Sequence, residues 1–251
     1  MTNKYYSGQG TLYVGERDNA GKPNGLVSVG NVPTLEISIE IEKFEHKESE
    51  SGNRSVDLTL VQELNGTFSA VLESISSVNL ALGFFGESAT VTGAAVASEV
   101  ITIDTKGVAY PLDNVNISQA PAPTAEDSLA ASLTLGSDFS VDYENGTVTI
   151  LDAYAGTIPD DIDFGYTFGD YLRMDAFTQT TVERYLRFHG INTVDDDRVI
   201  VDIFRASIDP AQNFALINEE LAQLTIAGNI LRDALRPSGS EFFTERRLGT
   251  Q

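Results

Sequence analysis

From Leu35 to Glu42 the chain alternates without a break, with Leu35, Ile37, Ile39 and Ile41 on one parity and Glu36, Ser38, Glu40 and Glu42 on the other. Residues two apart in an extended chain share a face, so one side of this strand is apolar and the other carries three carboxylates. A second pattern follows, with Val56, Leu58 and Leu60 set against Asp57, Thr59 and Gln62, and a turn is expected at Asn65-Gly66. Between the two lies Glu45-His46-Lys47-Glu48-Ser49-Glu50-Ser51-Gly52-Asn53-Arg54, which is too polar to bury. The pair predicts a long amphipathic ribbon with an acidic face and a charged connecting loop, suited to a wall or an assembly surface more than to a catalytic pocket.

Elsewhere strand patterns dominate, and the fold class read from them is mainly β. Thr11–Gly15, Thr67–Glu73, Val100–Asp104, Val108–Leu112, Ile162–Thr167, Thr181–His189 and Val199–Ser207 all read as extended. Glu144-Asn145-Gly146 is expected to turn a hairpin, as Asn24-Gly25 turns an earlier loop. Ile75, Val78, Leu82 and Phe85 recur at helical spacing before Gly86, which predicts one short helix within 74–85. Asp209-Pro210, a capping residue followed by proline, opens a second helical pattern to Ile217. Leu221–Leu231 fits a strand or a helix. Gly8-Gln9-Gly10 reads as a flexible lead-in, and Ala120-Pro121-Ala122-Pro123-Thr124 as a stiff connector at the one plausible boundary, near 119–125.

The chemical inventory is thin. Of 251 residues none is Cys or Trp and two are His, so neither thiolate chemistry nor disulfides are available. His46 and His189 have no nucleophile or carboxylate at a catalytic spacing, and no enzyme activity is expected. Asp160-Asp161-Ile162-Asp163 and Asp195-Asp196-Asp197 supply hard oxygen ligands, but they read as solvated turns, and no metal or other cofactor is expected. The formal charge of -21, from 37 acidic and 16 basic residues, is spread along the chain and excludes tight binding to nucleic acid, which needs cations to displace phosphate counterions. No apolar run is long enough for a membrane helix, and Met1-Thr2-Asn3-Lys4-Tyr5-Tyr6 lacks the apolar core of a signal peptide, so cytoplasmic synthesis is expected.

The ordered series Tyr6-Ser7-Gly8-Gln9-Gly10, Val29-Gly30-Asn31-Val32, Leu35-Glu36-Ile37 and Phe44-Glu45-His46-Lys47-Glu48-Ser49-Glu50-Ser51-Gly52 resembles the major tail tube proteins of long-tailed bacteriophages. The likeness continues through Asn79-Leu80-Ala81-Leu82-Gly83, Asp138–Leu151, Leu186-Arg187-Phe188-His189-Gly190-Ile191-Asn192 and Ile208-Asp209-Pro210, and so covers nearly the whole chain. It implies a single tail-tube domain over 1–251, a β-barrel or sandwich with one packed helix and an outer insertion within 90–165. It implies homo-hexameric rings stacked into a virion tube, with a tape-measure protein and a tail terminator as partners and viral DNA passing through without specific binding. By that likeness Glu36, Ser38, Glu40 and Glu42 face the lumen, and Glu45, His46, Lys47, Glu48, Glu50 and Arg54 form a loop reaching the next ring. Two other readings compete: an acidic β-sandwich binding or decoration module, monomeric or in a small closed oligomer, and the inner tube of a contractile tail.

Overall fold

In the computed structural model, which describes residues 5–236 and 238–248, the alternating segments are strands and the chain is mainly β with one short helix. Met1–Lys4, read above for a leader, lie outside the described residues. The chain divides into two compact units, Met1–Ser88 with Met174–Gln251, and Ala89–Arg173. The connector at 119–125 is inside the second unit and marks no border.

The first unit opens with β1 (Gly8–Gly15), β2 (Val27–Ser28), β3 (Thr34–Lys47), β4 (Val56–Leu72) and α1 (Ser77–Gly83). β5 (Glu87–Val91) leads into the second unit, which contains β6 (Ala95–Ile103), β7 (Ala109–Pro111), β8 (Thr124–Glu126), β9 (Ser132–Leu133), β10 (Phe139–Asp142), β11 (Thr147–Ile150) and β12 (Asp160–Thr167). β13 (Tyr171–Asp175) pairs with β5 and returns the chain to β14 (Val182–Asn192), β15 (Arg198–Asp209), β16 (Leu224–Ile230) and β17 (Phe243–Leu248).

Unit one is built on a sheet of order β2-β1-β14-β15-β16-β4-β3, with β17 added to β15. Its core gathers alternate residues from one face of each long strand, among them Leu12, Phe68, Ala70, Leu72, Leu186, Ile203, Leu224 and Ile226. β1 and β3 stand near opposite ends of the order, yet Gln9, Leu12, Leu35 and Ile37 line one cleft of about 390 Å³. The sheet therefore curls toward itself but does not close, so of the two expected forms, barrel or sandwich, the arrangement is consistent with the sandwich. β3 ends the order and, among the described residues, has a strand partner on one side only.

Unit two has its own core between a sheet of order β10-β11-β7 and one of order β6-β12-β8-β9. Phe139 and Phe164 meet edge to face there, ring centroids 6.0 Å apart. The hairpin expected at Asn145-Gly146 forms between β10 and β11, with Gly146 at φ 63.

Several expectations fail locally, each for a physical reason. Asn65-Gly66 is no turn: β4 runs straight through for 17 residues, pairing Asn65 with Glu40 and Gly66 with both Ile39 and Ile230. A Cβ at Gly66 would sit 3.3 Å from that of Ile230, so the glycine serves close packing between strands. α1 covers seven residues instead of the predicted twelve-residue window. Ser76 caps it by accepting from the Asn79 amide, and Phe85 takes a positive φ of 52 that ends it before Gly86. No helix forms at 209–217: the Ala211 amide donates to the Gly83 carbonyl at 2.7 Å, and Phe214 packs edge-on against Phe84 at 6.1 Å. Gly8-Gln9-Gly10 is part of β1, in register with Asn192, Ile191 and Gly190. Asp160, Asp161 and Asp163 belong to β12, not to a turn, and accept from Tyr154, Thr102 and Ser98 at 2.6, 2.6 and 2.8 Å.

The other face of β14 and β15 carries an ion network. Arg187 grips Asp202 through two hydrogen bonds, 2.5 and 3.1 Å, and Arg246 of β17 reaches the same carboxylate. Burial opposes charge on Asp202, but hydrogen bonds from Arg187 and Tyr185, with the charges of Arg187 and Arg246, hold its carboxyl below the usual range.

Candidate assembly surface

The β3–β4 ribbon is held in the sheet along one half only. β16 pairs with β4 from Leu224–Leu72 to Ile230–Gly66 and then ends. Beyond Gly66 the ribbon runs on as two strands, with no third beside them among the described residues. Leu35 and Ile37, opposite Ala70 and Phe68, pack against the core. Ile39 and Ile41, opposite Gly66 and Leu64, continue the same parity beyond the core's reach.

A bulge between Glu42 and Lys43 gives β4 one extra residue, Gln62. The alternation of β3 is uninterrupted, whereas the apolar residues of β4 change face. Val61 falls opposite Lys43, on the side of Ile41, and Leu60 and Leu58 fall opposite Phe44 and His46, on the side of Glu42. Ile39, Ile41, Phe44, Val56, Leu58, Leu60, Val61 and Leu64 are thus distributed over both faces and are 45–63% exposed. The outer ribbon is therefore apolar on both sides and half in solvent.

Glu36, Ser38, Glu40 and Glu42 share one exposed face, as their parity predicts. A fourth carboxylate joins them there: Glu63 stands directly opposite Glu42. Like charges facing each other across a strand pair disfavour the ribbon, so this pair does not serve the stability of the single chain. The sequence pattern hid Glu63 because its place opposite Glu42 depends on the bulge at Gln62, which only the register of the two strands defines.

The charged loop is shorter than its composition implied. Glu45, His46 and Lys47 are still within β3, opposite Thr59, Leu58 and Val56, while Glu48, Glu50 and Arg54 belong to the connection. His46 Nδ1 lies 2.6 Å from Asp57 Oδ1 and ties the two strands at their tip. Glu48 is the hub of the loop: its carboxylate accepts from the Ser51 hydroxyl, from the Ser51 and Glu50 amides at 2.8 and 2.7 Å, and from the Ser55 amide at 3.3 Å. The Ser51 hydroxyl and amide bonds are the chief reason its pKa falls to about 2. Glu48 therefore shapes the loop from within, which leaves Glu50 and Arg54 as its outward charges.

A second exposed apolar feature escaped sequence reasoning, which assigned 209–217 to a helix. The segment between β15 and β16 is irregular, and Leu216, Ile217 and Leu221 are 85%, 96% and 81% exposed. No cluster of His, Asp and Glu forms a metal-holding group among the described residues. His189 rests against Tyr13, ring centroids 4.8 Å apart.

The chain matches the model of a family described as "Protein of unknown function UCP028589" over residues 5–244. No curated protein matches it.

Proposed function

The chain belongs to that family of unknown function, and from the surface it presents we propose that it is a self-assembling tube subunit, the major tail tube protein of a long-tailed phage. One observation carries the reading: the β3–β4 ribbon has a 14-residue strand with an unpaired edge and apolar side chains bare on both faces. A monomer with such an edge is a template for pairing. Covering those side chains contributes roughly 1 kcal/mol or more for each one substantially buried. A head-to-tail contact that closes after six copies makes a ring, and stacked rings make a tube.

In that assembly the stripe of Glu36, Glu40, Glu42 and Glu63 lines the channel. DNA passing within a Debye length of it, about 8 Å at physiological salt, is repelled along its whole path. The like-charged pair Glu42–Glu63 then has a purpose that it lacks in the isolated chain. A tape-measure protein sets the length of the tube and a terminator caps it.

The first test is electron microscopy of the purified chain at rising concentration. Hollow tubes or rings of uniform width are expected. A monomer at every concentration overturns the reading and favours a binding or decoration module, for which unit two, with its separate core, is the natural candidate. In assembled virions, changing Glu36, Glu40 and Glu42 together to Lys is expected to leave tubes intact and slow DNA release. Release at the normal rate would remove these residues from the channel.

A further inference from the structure

The segment 210–223 is not a loose tail. At its start Ala211 bonds to Gly83 and Phe214 packs on Phe84. At its end Gln223 donates to Glu73 at 3.3 Å, and Leu224 is fully buried. Both ends are thus anchored to unit one, while Leu216, Ile217 and Leu221 project from the middle with Glu219 and Glu220 between them. These three are among the most exposed large aliphatic side chains of the molecule. Solvent exposure on this scale leaves the hydrophobic gain of three large aliphatic side chains unrealised in the free chain.

The ribbon presents a surface of opposite character. On the core-side parity of β3, Ile39 and Ile41 are followed by Lys43 and Lys47, which bracket Glu45. Leu64 and Val61 stand across from Ile41 and Lys43. The surface is therefore aliphatic at its base and carries two exposed ammonium groups beyond it. The segment is aliphatic with two adjacent carboxylates. Apolar area would meet apolar area and Glu219 and Glu220 would meet Lys43 and Lys47, which also fixes the direction of approach.

We propose that the segment 215–222 of one copy docks on the Ile39/Ile41/Val61/Leu64 face of the ribbon of a second copy, its Glu219 and Glu220 paired with Lys43 and Lys47. Donor and acceptor are different surfaces, so the contact is heterologous and propagates from copy to copy until a ring closes. The proposal rests on the self-assembly reading above and names the contact that drives it.

The chain has no cysteine, so engineered ones report cleanly. An Ile217→Cys variant mixed with a Leu64→Cys variant is expected to give a disulfide-linked dimer under mild oxidation. The same mixture with Leu129→Cys, an exposed site in unit two, in place of Leu64→Cys gives none. Independently, Glu219→Lys with Glu220→Lys is expected to raise the concentration for half-assembly roughly tenfold or more, as is Lys43→Glu with Lys47→Glu. Combining all four restores assembly. Rings that form normally in both charge-reversed variants, without the 217–64 crosslink, overturn this contact and leave the tube reading standing. A crosslink formed within one molecule of the double-cysteine variant also overturns it. Monomers under all conditions overturn both.

Discussion

From Leu35 to Glu42 strand β3 keeps one alternation of aliphatic and polar residues, yet only its first part belongs to a core. In the inner half, Leu35 and Ile37 face Ala70 and Phe68, and β16 extends the sheet beside them. In the outer half, Ile39 and Ile41 face Gly66 and Leu64, and past Gly66 no third strand follows among the described residues. Alternation reports which side chains share a face. What covers that face depends on how far the neighbouring strand extends, and here β16 stops at Ile230. Isolated two-stranded ribbons are marginal in water, so the outer half is stable through its attachment to the inner one and, as proposed, through a second copy.

The sharpest test of this contrast substitutes one residue in each half. Phe68→Ala empties a site that is 2% exposed and is expected to cost about 3–5 kcal/mol in chemical denaturation of the dispersed chain. Leu64→Ala, four residues along the same strand, is expected to change that stability by less than about 1 kcal/mol while reducing assembly. Equal costs would show that the outer half is packed within the single chain.

The ion network on β14 and β15 gives a smaller effect. Asp202→Ala leaves Arg187 and Arg246 without their shared partner, and a loss of about 2–3 kcal/mol is expected in the same assay. The outer half responds in the opposite sense. Glu63→Lys replaces the like-charged pair with Glu42 by an attractive one, and a gain of about 0.2–1 kcal/mol, shrinking with added salt, is expected for the dispersed chain.

The smallest effect is one of pH at the ribbon tip. Glu48 has its folded pKa lowered from 4.5 to about 2, so its contribution to loop order is complete above 4.5 and is lost as pH falls through the folded value. Amide chemical shifts of Glu50 and Ser51 are expected to hold down to about pH 3 and to move below it. Movement centred at the ordinary glutamate pKa would show that the carboxylate does not organise the loop.

Much of the site was legible in the chain itself. The acidic face of Glu36, Ser38, Glu40 and Glu42 follows from period two alone, because adjacent side chains of a strand must point to opposite sides. The mainly β class, the Asn145-Gly146 hairpin and the short helix after Ile75 are likewise local consequences of spacing and turn chemistry. Tertiary structure decided the rest. Asn65-Gly66 has the composition of a turn, but Gly66 lies between Ile39 and Ile230 in a continuous sheet, and pairing on both sides outweighs a local preference. Asp209-Pro210 has the composition of a helix start, but the carbonyl at the end of α1 takes the Ala211 amide and Phe84 takes Phe214. The partnership of Glu63 with Glu42, and the switch of apolar face at Gln62, depend on a bulge that is defined only by the register of two strands. Sequence sets what each short segment can do on its own; which option is realised, and which faces remain bare, depends on contacts between residues far apart in the chain.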